Sequence, residues 1–139
     1  MPNIHVDIVS AEGAIHSGEA TMVFAPAEMG EVGIAPRHAP LLTRLKPGTV
    51  RVKTPDGQEL PFFVGGGILE IQPYLVTVLA DTALRAKDAD EASALKAKQD
   101  AEEKLAGAKS EIDLARAQAE LIEAAARLDF VKKLKSGTH

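Results

Sequence analysis

The sequence predicts two halves that fold by different rules. The first is all-β, a sandwich or flattened barrel of short strands, and the second is an antiparallel two-helix hairpin. Two features of composition and one of pattern predict this. All eight prolines lie at or before Pro73, and nine of the eleven glycines lie at or before Gly67. Fourteen alanines then fall between Ala86 and Ala126, with charged residues filling most of the gaps. Apolar residues alternate in the first half and recur at three and four in the second. The shift near Leu84 to Lys87 sets a boundary, giving domains 1–85 and 86–139.

Taken in order, IHVDIVS places Ile4, Val6 and Ile8 in alternation with His5 and Asp7, the pattern of a half-buried strand. ATMVFA (20–25) is a short β-type run, and TVRVKT (49–54) alternates again. Pro55-Asp56-Gly57 is a turn signal that joins TVRVKT to ELPFFV as a hairpin. ILEI (68–71) and YLVTVLA (74–80) form a second hairpin across Gln72-Pro73. Gly65-Gly66-Gly67 resembles a phosphate cradle, but a strand follows it and no helix N-terminus does, so a bulge or a tight strand start is the expectation. Many short strands at close spacing predict the sandwich or barrel.

In the second half, Asp88 with Glu91 fits an N-terminal capping box, and Ser110 with Asp113 repeats the pattern after Gly107. These signals predict helices near 89–105 and 111–134 with a turn through Gly107 to Ser110. On the second helix Leu114, Ala117, Leu121, Ala124, Leu128 and Val131 form one apolar seam. Alanine buries little surface but has the highest helix propensity. Two readings stay open, a plain packed hairpin and a hairpin that leaves its resting place without melting.

Composition excludes several function classes. Of 139 residues 45% are hydrophobic and 26% charged, a globular balance. Only 4% are aromatic and the formal net charge is −4, so neither base-stacking platforms nor a basic face for phosphates is expected, and no nucleic acid. The absence of cysteine removes disulfides, thiolate nucleophiles and Cys-based zinc sites. MPNIHVDIVS lacks the features of a signal peptide and no apolar run approaches a membrane span, so a reducing cytosolic location is expected.

The stretch Gly30 to Thr43, GEVGIAPRHAPLLT, reads as a shaped loop that carries aliphatics among Glu31, Arg37 and His38. The histidines His5, His16, His38 and His139 have no spacing that puts two on one helix face or one beside a ligand carboxylate, so no metal is expected. Glu31 and His38 could meet across the loop as an acid and base, but no nucleophile motif accompanies them. At the C-terminal end, Arg127, Lys132, Lys133 and Lys135 make a basic tip, which suits both dipole compensation and docking on an acidic partner.

The order VSAEG (9–13), GEVGIAPRHAPLLT, LKPGTV (45–50), GGGILEIQP (65–73), VTVLADTA (76–83) and an alanine-rich two-helix tail closely resembles the epsilon subunits of bacterial F-type ATP synthases. The resemblance covers essentially the whole chain. It implies a sandwich of about ten strands, a helical hairpin and a non-catalytic rotor role in the central stalk. Partners implied are the gamma subunit, the ring of c subunits and, through the hairpin, the alpha and beta subunits. Glu31, His38, Leu41, Leu42 and Thr43 would meet gamma and the c ring. Asp81 and Arg85 would form a latch at the junction. Arg127, Lys132, Lys133 and Lys135 would approach an acidic segment of beta and stop ATP hydrolysis. The implied location is the cytoplasmic face of a bacterial inner membrane, peripheral through the complex.

Some relatives bind ATP through a motif reading Ile or Leu, Asp, two variable residues, Arg, Ala. The matching stretch here is Ala89-Asp90-Glu91-Ala92-Ser93-Ala94, with Ser93 in place of the arginine. Arg116 and Arg127 match basic positions of the second helix, but Glu123 falls where another arginine is expected. Serine cannot replace a guanidinium fork, so Asp90, Arg116 and Arg127 would give weak ATP binding at best, and no cofactor is expected. Two readings of other classes compete with the rotor: an independent sandwich binding module with a helical dimerisation hairpin, and a small hydrolase using Glu31 and His38.

Overall fold

Alternation of buried and half-buried side chains carries Ile4–Ser10 as strand β1. It is followed by β2 (Gly13–Ala20), β3 (Met22–Ala27), β4 (Gly30–Ile34), β5 (Leu41–Lys53), β6 (Glu59–Gln72), β7 (Leu75–Ala80) and the short β8 (Ala83–Arg85). The structure, a computed structural model, describes residues 2–137, so His139 lies outside the described residues. Two compact units are present, one ending at Lys87 and one beginning at Asp88.

The strands form one hydrogen-bonded path, β2-β1-β7-β6-β5-β3-β4, with β8 added on β6. Neighbours pair antiparallel, except that β1 and β7 run parallel. The path doubles over because β5 and β6 each serve both layers. The second half of β6 pairs with β7, while its first half pairs with β8. The later part of β5 carries β3 and, beyond it, β4. One apolar core lies between the layers, drawn from Ile4, Val6 and Ile8 on one side and Val23, Val50 and Val52 on the other.

The turn at Pro55-Asp56-Gly57 joins β5 to β6 with Lys53 opposite Glu59, and Gln72-Pro73 leads from β6 to β7. The three glycines do not begin a strand; they lie inside β6, so ELPFFV and ILEI are one continuous strand. Gly66 and Gly67 take φ of 101° and 138°, which bends the strand without ending it. The Gly65 amide donates to the Thr82 carbonyl at 2.8 Å and the Asp81 amide donates to Gly66 at 3.0 Å, so the bend keeps its backbone groups paired. Among the described residues eight strands are present where about ten are expected; β5 and β6, counted as halves, make up the difference. The stretch read as a single loop, 30–43, is strand β4, a connection at 35–40 and the start of β5.

In the second unit, α1 spans Glu91–Ala106 and α2 spans Glu111–Ser136. Ser110 caps α2, its Oγ accepting from the Asp113 amide at 3.1 Å. The cap of α1 is Asp90, and Asp88 lies in a 3-10 turn, Ala86–Asp88, which corrects the capping box read there. Gly137 ends α2 in the left-handed region, φ 75°. Cross-helix contacts pair Glu91 with Lys135, Ser93 with Arg127 and Lys104 with Glu120, so the helices are antiparallel. Ala117, Ala124, Leu128 and Val131 of the expected seam are buried together with Phe130, while Leu114 stays exposed.

Candidate functional site

The residues expected on the contact surface fall on two parts of the sandwich. Glu31 lies on β4 at the edge of one layer, in register with Pro26 of β3. Its Oε1 accepts from Arg51 Nη2 at 3.1 Å. Leu41, Leu42 and Thr43 open β5 in the other layer, in register with Ile71, Glu70 and Leu69 of β6. His38 sits in the connection between, its Nδ1–H donating to the Ala39 carbonyl at 2.7 Å. Glu31 and His38 therefore bond other groups, and the acid and base pair is not formed. Arg37 in the same connection has a φ of 68°, uncommon without glycine, and its amide donates to Pro73 at 2.8 Å.

The outer face beside Leu42 is more apolar than the sequence suggested. Leu42 is 69% exposed, and Ile68 and Leu79, register partners of each other, are 45% and 50% exposed. Arg44 lies in register with Ile68, placing a cation at the border of this patch. Alternation alone marks Ile68 and Leu79 as apolar strand residues; only the pairing shows that they point away from the core.

A polar cluster that sequence reasoning missed covers β1 and β2. His5 Nδ1 meets Glu19 at 3.0 Å, while its Nε2 meets Asp7 at 2.9 Å and Ser17 Oγ at 3.0 Å. The Ser17 hydroxyl donates to Asp7 at 2.7 Å. The bond to Glu19, with that to Asp7, raises the His5 pKa above its ordinary value, and the Ser17 hydroxyl lowers that of Asp7. His16 has its ring centroid 5.0 Å from that of Phe62, and burial lowers its pKa.

At the end of the first unit, Arg85 donates through Nε to the Ile15 carbonyl at 3.0 Å and through Nη2 to Ala14 at 3.2 Å, anchoring β8 to β2. Asp81 lies against the glycine bend, its Oδ2 within 3.2 Å of the place a Gly66 Cβ would occupy.

Within the hairpin the basic residues are largely engaged. Arg127 Nη2 reaches Ser93 Oγ at 3.4 Å, Lys133 pairs with Asp129 at 3.1 Å, and Lys135 pairs with Glu91 at 3.4 Å. Lys132 is exposed. Asp90 and Arg127 lie toward the open end of the hairpin, and Glu123 sits one turn before Arg127. Arg116 lies toward the other end, lining a groove with Lys104, Asp113 and Glu120. The separation along α1 is about 20 Å at 1.5 Å per residue. Asp90, Arg116 and Arg127 are therefore not brought together.

The ATP synthase delta/epsilon chain β-sandwich model matches residues 3–86, and the model of the long α-helix domain of the same chain matches 82–132. An ATP synthase epsilon chain of Nitrosococcus oceani is 63% identical over 132 residues, covering 95% of this chain and 94% of the relative. The chain belongs to the ATP synthase epsilon chain family. A second epsilon chain, from Thioalkalivibrio sulfidiphilus, is 62% identical and covers 96% of each chain. Among solved structures, a chain of the Euglena gracilis mitochondrial ATP synthase superposes with a TM-score of 0.78 at 18% identity, covering 100% of this chain and 84% of that one. A chain of the Tetrahymena thermophila mitochondrial ATP synthase central stalk and c ring gives 0.63 at 13% identity, covering 94% and 96%. These two likenesses show the fold. Epsilon chains are non-catalytic subunits of ATP synthase, and this chain is one of them. No helix among the described residues is long and apolar enough to cross a membrane.

Proposed function

We propose that this epsilon chain is a rotor subunit of the central stalk that couples proton flow to ATP synthesis and restrains ATP hydrolysis through its hairpin. The observation that carries the reading is the pairing of family membership with two separate presenting surfaces on one rigid sandwich. The aliphatic patch of Leu42, Ile68 and Leu79 suits the gamma subunit, because exposed aliphatics beside a polar border are the composition of a protein interface; Leu41 and Thr43 flank Leu42 on the same strand but alternate to its other face, and His38 lies in the connection before it. Glu31 on the opposite layer's edge strand suits the polar surface of the c ring. Arg85, with Asp81 nearby in sequence, stabilises the last strand before the hairpin.

The alpha and beta subunits are the partners assigned to the hairpin, with Arg127, Lys132, Lys133 and Lys135 directed at an acidic segment of beta. The alanine seam supports a hairpin that separates at modest cost, since its helices retain intrinsic propensity. ATP binding is weak at best, supported by Ser93 and Glu123 at the expected arginine positions and by the distance of Arg116 from Asp90. The cytoplasmic face of a bacterial inner membrane, reached through the complex, is the location that accords with the organisms of the relatives.

The reading is tested by mixing the purified chain with the cognate gamma subunit and then with the c ring. A stoichiometric complex that retains all three is expected. A chain that stays monodisperse and binds neither would favour an independent module instead.

A further inference from the structure

No motif singles out Arg51, yet it stands at the centre of a polar contact spanning four strands. Its guanidinium on β5 donates through Nη2 to Glu31 Oε1 on β4 and through Nη1 to Glu59 Oε1 on β6, both at 3.1 Å. Between these two bonds its Cζ lies 4.3 Å from the centre of the Phe24 ring on β3. Phe24 is the register partner of both Arg51 and Gly33. Gly33 leaves room for that ring over the β4 backbone, where a Cβ would come within 3.4 Å of it.

The guanidinium fork has fixed geometry, so bonds at both arms and an aromatic face beneath it hold the group in one place. The Arg51 side chain is 23% exposed and that of Glu31 is 54% exposed, so the anchor is sheltered and the acid is presented. The bond engages Oε1, and a carboxylate has further acceptor sites to offer.

We propose that Arg51 is a positioning residue for the ring contact of Glu31. It orders the carboxylate on the edge strand before the partner arrives, which reduces the side-chain freedom lost on docking. The partner group that fits is a hydrogen-bond donor, an amide or a cationic side chain, on a c-subunit loop. The inference rests on the reading of Glu31 as a ring-facing residue.

The test is a double-mutant cycle, in which the complex of gamma with the full chain binds purified c ring and each free variant is also melted. Glu31→Gln and Arg51→Gln are each expected to weaken binding about three- to ten-fold, and the double variant no more than the worse single one. Arg51→Lys keeps the charge but loses the fork, and it is expected to weaken binding about two-fold or more; it completes the cycle if the glutamine variant does not fold. Additive losses would overturn the proposal, because Arg51 would then act by a route other than Glu31. Arg51 variants that bind like wild type while Glu31→Gln binds weakly would also overturn it. If Glu31→Gln binds like wild type, the ring-facing reading itself fails and the positioning role falls with it.

Discussion

In the sandwich the largest fully buried side chains run from Ile4 to Val78 and are all isoleucine, leucine or valine. In the hairpin the buried residues of α1 are Ala94 and Ala101, and α2 buries Ala117 and Ala124 before Leu128, Phe130 and Val131 near its end. Burying a branched aliphatic contributes about 1.5–3 kcal/mol, whereas a single methyl contributes about 0.8 kcal/mol. The sandwich is therefore held by its core, and the hairpin by helix propensity, caps and a few side-chain pairs. A fault in the first should be global and a fault in the second local.

The sharpest contrast lies between two glycines. A Cβ at Gly67 would meet the Leu79 carbonyl oxygen at 2.1 Å with φ at 138°, whereas one at Gly107 would come no closer than 3.6 Å to the Glu103 oxygen. Gly67→Ala should destabilise the sandwich by about 3 kcal/mol or more, and Gly107→Ala should change stability by less than about 0.5 kcal/mol. Urea unfolding of both variants measures the difference; equal midpoints would break the comparison. Next in size is the α2 cap. Ser110→Ala should cost about 1 kcal/mol and lower the helical signal while leaving the sandwich transition where it is. A shift of both transitions together would mean that the units are not energetically separate.

The smallest expected effect is a pH dependence within the sandwich, where two histidines act in opposite senses. Burial holds the pKa of His16 below its ordinary 6.5, so its contribution is present above 6.5 and is lost as pH falls through the folded value. Glu19 and Asp7 hold His5 above 6.5, so its contribution is full below 6.5 and is lost as pH rises through the folded value. On going from about pH 7.5 to about pH 5.5, the stability deficit of His5→Gln should widen and that of His16→Gln should narrow. Urea midpoints at the two pH values decide this, and deficits that do not change would remove the titration from the account.

Strands were legible where the core demands alternation, as in Ile4–Ser10. They were not legible in β2, GAIHSGEA, which buries only Ala20, nor in β4, whose glycines hide a strand made by its pairing with β3. The Gly65-Gly66-Gly67 stretch was legible as a backbone irregularity, but it is a bend within one long strand and not the expected bulge or strand start, since the register with β5 runs through it without a shift and the amides and carbonyls of 81–82 pair with it. Of the candidate site, Glu31 and Leu42 were readable as members of one shaped segment, and only the resemblance to epsilon subunits gave them a contact role. Their separation onto two layers was not readable, because it follows from β5 passing between layers. The His5 cluster was invisible because the antiparallel register of β1 and β2 makes it, setting Glu19 beside His5 and Ser17 beside Asp7, and the Arg51 contact because it is assembled across four strands. Arg51 and Glu31 are 20 residues apart, a spacing that carries no periodic signal. Asp88 was read as the cap of the first helix, and the 3-10 turn through it moves the cap to Asp90.

The measurement that tests the central claim most directly is ATP hydrolysis by the cognate catalytic head, stripped of its epsilon chain and reconstituted with either the full chain or a chain ending at Lys87. Both should bind, since the sandwich unit has its own core, and only the full chain should slow hydrolysis. Binding without any slowing by the full chain, or equal slowing by both, would contradict the assignment of the hairpin as the brake.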